Sequence, residues 1–394
     1  MPSPHVIVVG AGPAGIAAAA QLGTVVRTTV VSDDPAAPYN RTAVNKGLLL
    51  GAVDRGGLGY PEASALGLVS RLVGRAVALD PGGRKVTVGS EVLPYDAVLV
   101  ATGAAPVPAP PAWGAGARVH RLHSPDDGLA LRERVGPGGR HVVVVGAGLI
   151  GTETTGVLHD LGCTVTLVSR EASPMRARWG RLVAGWLLEE QRAAGTHLLL
   201  GHEVQAIDAA DGRVRVRLTG DVEVDADDVV LAIGHTTTLD WLAGTGLVED
   251  GAVPVDRDGR TGVPGVYAAG EASATGPARA RHPHWGAALH QGRRAARAIL
   301  ADLGLAEPLH ESAWLPSYSS YFRDAKLTVV GDATGYAAEH VVAGEPGPGR
   351  WTVALTDGEE RLLGVVGVRG ARVATRLRDA VRDRAPLAQA IALL

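Results

Sequence analysis

The chain has 394 residues, 46% hydrophobic and 20% charged, with a formal net charge of −3. That is enough for two or three domains of about 150 residues each, and it offers no basic field for gathering nucleic acid. Its one cysteine, Cys163, excludes an internal disulfide, a dithiol redox pair and a cysteine-rich metal site. No stretch approaches about 18 uninterrupted apolar residues, and the N-terminus reads as a strand rather than a signal segment, so no membrane span and a cytoplasmic location are expected.

Val6 to Val9 form the first predicted strand. It runs into a loop with Gly10, Gly12, Pro13, Ala14 and Gly15, and a helix is expected to start near Ile16. Glycines here permit a tight turn and let the backbone approach a pyrophosphate, while the helix N-terminus offers unpaired N–H groups to the anion. The next strand ends TTVVSDD, which puts Asp33 or Asp34 where a carboxylate accepts the ribose hydroxyls of an adenosine. Further on, YDAVLVATG ends at Ala101, Thr102 and Gly103. Residues 104–118, AAPVPAPPAWGAGAR, are too rich in Pro and Gly for a regular helix or central strand and read as a crossover into a second domain.

Residues 141–151, HVVVVGAGLIG, then repeat residues 5–15, HVIVVGAGPAG. This second fingerprint is Gly146, Gly148 and Gly151, with Ile150 beside it, and ADDVVLAIG, ending at Gly234, repeats YDAVLVATG. Gly10 and Gly146 are 136 residues apart, Gly103 and Gly234 131 apart. Two α/β units of similar length therefore follow one another. In the second unit the strand TVTLVS ends at Ser169, where an NAD-specific site places an acid, with Arg170 and Arg176 following. Arginine presents planar donors that suit a 2′-phosphate, which favours NADPH; Glu171 weighs against this and leaves NADH possible. Later, VPGVYAAGEASA (263–274) is a short strand ending at a glycine, and WGAALHQGRRAARAIL (285–300) is a helix. The strand runs KLTVVG, WTVALT and LLGVVGV and a helical stretch from Ala371 make a third, α+β unit.

The paired glycine motifs, LVATGAAP, VYAAGE and the PYNR...K stretch together resemble the two-dinucleotide-fold flavoprotein reductases of the FAD-dependent pyridine nucleotide-disulfide oxidoreductase superfamily. Within it the chain is most similar to the ferredoxin, putidaredoxin and rubredoxin reductases, along nearly its whole length. The resemblance implies an α/β, glutathione-reductase-like architecture with two Rossmann-like dinucleotide-binding domains. These are an FAD domain over 1–112 and 235–306 and an NAD(P)H domain over 113–234, followed by a C-terminal α+β interface domain over 307–394. It implies FAD and NADPH (NADH possible) as cofactors and a ferredoxin or other small iron-sulfur protein as partner, in a monomer or homodimer. A small-molecule acceptor is the alternative, and a redox-responsive binding role a further one.

Carried over residue by residue, the resemblance puts Lys46 beside the flavin N5 with Glu153 as its ion-pair partner, and Arg41 near the flavin or its pyrophosphate. Gly270 and Glu271 match a glycine and an aspartate whose carboxylate holds the ribityl chain; Glu271 is one methylene longer. Trp285 matches a tryptophan near the flavin and nicotinamide. Three departures cluster at the expected electron exit. Thr42, Ala43, Val44 and Asn45 replace the usual Pro-Pro-Leu-Ser, Tyr318 and Ser319 stand where an aromatic and a tryptophan are expected, and Pro283 replaces an acid. His282 and His284 read as loop residues, and no metal site is expected.

Overall fold

The computed structural model describes residues 3–114, 116–136, 138–276, 281, 283–308 and 314–394; His282 lies outside the described residues. The chain packs as two compact units, the first from Met1–Asn40, Leu58–Ala105 and His235–Ser312, the second from Arg41–Gly57, Pro106–Gly234 and Ala313–Leu394.

In the first unit, strand β1 (His5–Val9) lies in a five-stranded sheet between β2 (Arg27–Ser32) and β3 (Ala97–Val100), with Ser70–Val73 and Val266–Ala268 at the edges. All four pairings are parallel. A parallel sheet covered on both faces needs strands that are apolar throughout. In β1, Val6 and Val8 face Ala14, Ala18 and Leu22 of helix α1 (Pro13–Leu22) and Ile299 of the late helix Trp285–Asp302. Ile7 and Val9 face the opposite layer with Val86, Val88 and Trp241. The helix α1 begins at Pro13, three residues before the expected start, because proline has no N–H to leave unpaired in a first turn.

The second unit repeats this design. Strand β4 (His141–Val145) lies between β5 (Thr164–Ser169) and β6 (Asp228–Leu231), again in parallel, with His197–Leu200 and Val119–His120 outside them. Val142 and Val144 pack towards Leu158, and Val143 and Val145 towards Ile207 and Val216. Even the side-chain bonds at the strand starts recur. His5 N donates to Asp96 Oδ2 at 2.7 Å and His141 N to Asp227 Oδ2 at 2.8 Å; each ring Nε2 lies 2.9 Å from a threonine hydroxyl on the next strand, Thr29 and Thr166.

The C-terminal part of the second unit is an antiparallel sheet of five strands. From one edge these are β7 (Ser317–Phe322), Ala325–Gly331, Leu362–Val368, Trp351–Thr356 and Ala338–Ala343. The three inner strands are the three expected from sequence, and the helical stretch is Arg372–Arg376, Arg378–Arg382 and Leu387–Ile391. The two edge strands were not legible as strands, since an edge exposes one side and tolerates polar residues such as Ser317, Ser319 and Glu339. Residues 41–57, within the stretch expected to join the first domain, pack in the second unit: a Cβ added to Gly128 would lie 3.1 Å from Val44 Cγ1, and Asn45 and Lys46 both bond to Glu153. The crossover carries one short strand, Ala104–Pro106, paired with His235–Thr237 where the chain returns. No helix among the described residues is long and apolar enough to cross a membrane.

Candidate functional site

Each unit carries a cradle of the same build. In the first, Gly10 has φ +115° and its N–H donates to Val31 O at 2.8 Å; a Cβ there would sit 2.1 Å from Ala101 O. Gly15 is pressed as closely, its Cβ position 1.9 Å from Gly10 O. Around the Cβ position of Gly12, by contrast, no atom of the described residues beyond its chain neighbours lies within 4 Å. Gly12 caps α1 with no side-chain hydrogen bond and no acid in the first turn. A helix N-terminus left open in this way, with room in front of it, fits an anionic phosphate group.

The second cradle matches contact for contact. Gly146 has φ +103°, donates to Val168 O at 2.8 Å and has its Cβ position 2.3 Å from Ala232 O. Gly151 is pressed to 1.8 Å from Gly146 O, Gly148 is open, and helix α2 (Leu149–Asp160), with Ile150 in its first turn, starts uncapped. In front lies a cavity of about 670 Å³ bordered by Gly146, Gly148, Ser169, Arg170, Arg178 and Glu203.

The equivalent bonds to Val31 and Val168 set the correspondence between the strand ends. Ser32 Oγ accepts from Asp34 N at 3.2 Å, and Ser169 Oγ accepts from Glu171 N at 3.1 Å. Ser169 therefore corresponds to Ser32, and Arg170 to Asp33. Arg170 thus stands at the position of Asp33, while each serine accepts a hydrogen bond within its own turn. In the first cradle Asp34 Oδ1 accepts from Ala36 N at 2.8 Å, while the Asp33 side chain is exposed.

The remaining expected residues fall in three places. In the first unit, Thr102 and Thr238 exchange hydroxyl-to-carbonyl bonds of 2.9 Å just before Gly103, at φ +66°. A Cβ added to Gly270 would lie 3.1 Å from Ala14 Cβ, and the Gly270 N–H donates to Gln291 Oε1 at 2.9 Å, a partner no motif announced. Glu271 is half-buried, and Trp285 meets Tyr60 edge-on with ring centroids 4.9 Å apart. His284 caps the late helix, its Nδ1 accepting from Ala287 N.

In the second unit, Lys46 and Glu153 do meet. Lys46 Nζ donates to Glu153 Oε2 at 2.7 Å, and Asn45 Nδ2 donates to the same oxygen at 3.1 Å. Oε1 accepts from Ser320 Oγ at 3.0 Å and from Tyr321 N at 3.3 Å. Asn45, one of the departures from the usual Pro-Pro-Leu-Ser, and Ser320, which no motif singled out, are almost wholly buried. Lys46 and Asn45 are neighbours on a π-type turn, Val44–Leu48, which lets consecutive side chains reach one carboxylate. Gly234, at φ +102°, accepts from Val107 N at 3.0 Å. Arg41 is exposed and lies against His123.

Arg176 does not border the cavity. Arg178, two residues on, borders it instead. The turn carrying both has Met175 at φ +63° and a kink at Gly180 (φ +85°), after which the helix restarts with Glu339 accepting from Arg181 N and Leu182 N. The direction of each arginine follows from this broken helix, which sequence periodicity does not reveal. Arg170 is exposed, with Nη1 4.0 Å from Glu203 Oε1. Cys163 is buried, and burial, aided by Asp228, pushes its thiol up to about 11.

Comparison with known proteins agrees with this geometry. The family model described as pyridine nucleotide-disulphide oxidoreductase matches residues 4–292. The chain is 29% identical over 408 residues to rhodocoxin reductase of Rhodococcus erythropolis, covering 97% of this chain and 90% of that protein. It is 30% identical over 280 residues to a probable ferredoxin reductase of Castellaniella defragrans, covering 68% of this chain and 67% of that one. Its fold matches that in the crystal structure of the covalent putidaredoxin reductase-putidaredoxin complex with a TM-score of 0.89 at 23% identity, covering 98% and 94% of the two chains. The chain belongs to the pyridine nucleotide-disulphide oxidoreductase family.

Proposed function

We propose that this chain is an FAD-dependent NAD(P)H oxidoreductase that passes electrons from NADPH to a ferredoxin-type iron-sulfur protein in the cytoplasm. The observation that carries the reading is the doubled cradle, each copy with an open glycine in front of an uncapped helix. Relatives along the chain named rhodocoxin reductase, probable ferredoxin reductase and ferredoxin--NAD(+) reductase component support a ferredoxin-type partner. With a single buried cysteine, the chain has no dithiol pair to carry electrons itself.

Bound FAD would supply the chemistry, accepting hydride from the nicotinamide and releasing electrons one at a time. Gly12 and the first turn of α1 would hold its pyrophosphate and Asp33 its adenosine ribose, Asp34 being engaged in its own turn. By the resemblance, Gly270 and Glu271 serve the ribityl chain and Lys46 is the cation for the reduced flavin. Glu153 supports that role by fixing the Lys46 ammonium at 2.7 Å. The dinucleotide substrate would lie on Gly148, with its ribose near Arg170. The reversal from Asp33 to Arg170 replaces a carboxylate, which repels a 2′-phosphate, by a cation that attracts one. Glu203 opposes this and would have to yield Arg170 to the phosphate.

The test is reduction of cytochrome c by NADPH with purified flavin-loaded protein. Strict dependence on added ferredoxin is expected. Turnover with a small-molecule acceptor that is indifferent to ferredoxin would replace this reading by that of a flavoenzyme with its own substrate.

A further inference from the structure

The end of strand β7 lies along one face of helix α2. Ser320 Oγ donates to Glu153 Oε1 at 3.0 Å and Tyr321 N to the same oxygen at 3.3 Å. A Cβ added to Gly156 would lie 3.3 Å from the Phe322 ring and 2.9 Å from Arg323 N, and Arg323 Nε donates to Asp160 Oδ1 at 2.9 Å. Glu153, Gly156 and Asp160 are spaced by three and four residues, so they share one face of the helix. Successive residues of the strand therefore meet successive turns of that face, with the Phe322 side chain buried against it. A slip of one residue would turn the Ser320 hydroxyl away from Glu153.

A carboxylate offers about four acceptor positions, two on each oxygen. In Glu153 all are taken: Oε1 accepts from Ser320 Oγ and Tyr321 N, and Oε2 from Asn45 Nδ2 and Lys46 Nζ. With Oε1 held by the strand, the plane of the carboxylate is fixed. With Asn45 on one side of Oε2, a single direction is left for the ammonium. A lysine side chain otherwise has considerable rotamer freedom. We propose that Ser320 and Asn45 are positioning residues, acting through Glu153 to hold the Lys46 ammonium in one place, so that a strand of the C-terminal sheet sets the cation assigned to the reduced flavin. This rests on the reading of Lys46 as that cation.

The experiment is amine labelling of the flavin-loaded full chain with N-hydroxysuccinimidyl acetate, read site by site by mass spectrometry in wild type, Ser320→Ala and Asn45→Ala. The chain has lysines only at 46, 85 and 326, and the exposed Lys85 serves as reference for the reagent. An amine reacts only while it is off its partner. Loss of one donor to Glu153 is therefore expected to raise the Lys46 rate about three- to tenfold, the range of one hydrogen bond, with Lys85 unchanged. The buried Cys163 of the same unit, probed with a thiol reagent, should stay unreactive. Lys46 and Cys163 becoming reactive together would report general loosening, and a lowered Tm with an unaltered Lys46 rate would report a structural bond only; either overturns the proposal. If Ser320→Ala does not fold, Asn45→Ala decides by the same criteria.

The flavin potential is the second readout. Ser320→Ala should shift it in the same direction as Lys46→Ala and by less, and should add nothing in the Lys46→Ala background. A shift that persists in that background overturns the proposal, as does no shift in Ser320→Ala where Lys46→Ala gives one. Lys46→Ala without any shift removes the reading of Lys46 as the flavin's cation, a separate failure seen before any Ser320 variant is compared.

Discussion

Lys46 Nζ and Glu153 Oε2 lie 2.7 Å apart although 107 residues separate them in sequence, with Glu153 4% and Lys46 27% exposed. Removing one partner of a largely buried pair leaves the other desolvated and uncompensated. Lys46→Ala is therefore expected to lower unfolding stability by roughly 2 kcal/mol, below the usual loss of 3–5 for buried pairs because Asn45, Ser320 and Tyr321 N still donate to the carboxylate. A urea titration reads this, and a midpoint equal to wild type contradicts it. If Lys46 also serves the reduced flavin, the flavin potential shifts to more negative values in the same variant.

Arg170 stands where the repeat has Asp33, and the charge reversal should be read by the cofactor. For Arg170→Ala, kcat/KM with NADPH is expected to fall about tenfold or more, the range of one charge-assisted hydrogen bond, while the NADH value stays within about twofold. Equal losses for both dinucleotides would assign Arg170 to something other than the 2′-phosphate.

The glycines of the second cradle should separate folding from binding. Gly148→Ala adds a methyl group into open space at a helix N-cap, so its Tm should fall far less than that of Gly146→Ala while KM for the dinucleotide rises severalfold. Gly146→Ala places a Cβ 2.3 Å from Ala232 O at φ +103° and should fold poorly or not at all. If both variants melt alike, close packing rather than ligand space explains the motif.

Cys163 sits against the apolar layer of the second sheet, its thiol pushed up to about 11 by burial. In the native protein at about pH 8 it should resist thiol reagents and become reactive only on unfolding. Cys163→Ala should keep NADPH oxidation unchanged; a large loss of turnover would reopen thiol chemistry.

The paired histidines at the strand starts bear on acid stability. Burial, with Arg27 adding to it, lowers His5 below its usual 6.5, and burial lowers His141, with Arg213 and His197 also pulling down and Asp227 opposing. The unfolded chain then takes up protons before the folded one. Stability from these groups is complete above 6.5 and is lost as pH falls through the lowered folded values. Melting temperature should drop between about pH 7.5 and about pH 5.5, and less steeply in His5→Gln than in wild type. An identical pH slope in the variant would remove His5 from the account.

The sequence by itself determined that there are two strand-glycine-helix cradles, where each begins, and which glycines make the tight turn, the close backbone contact and the open helix end. Those features are local: the tight turn, the backbone contact and the open helix end are all written within about ten consecutive residues. The pairing of Lys46 with Glu153 was legible only through resemblance, since nothing local links a turn to a helix 107 residues away. Only the tertiary structure decided that Asp34 closes its own turn and leaves Asp33 free, that Ser169 matches Ser32, and that Arg178 rather than Arg176 borders the cavity. It alone brought Asn45 and Ser320 to one carboxylate and Tyr318 to Trp179, 139 residues earlier. Side-chain direction at a kinked helix and partner choice across an edge strand depend on packing between distant segments, and packing of that kind leaves no period in the chain.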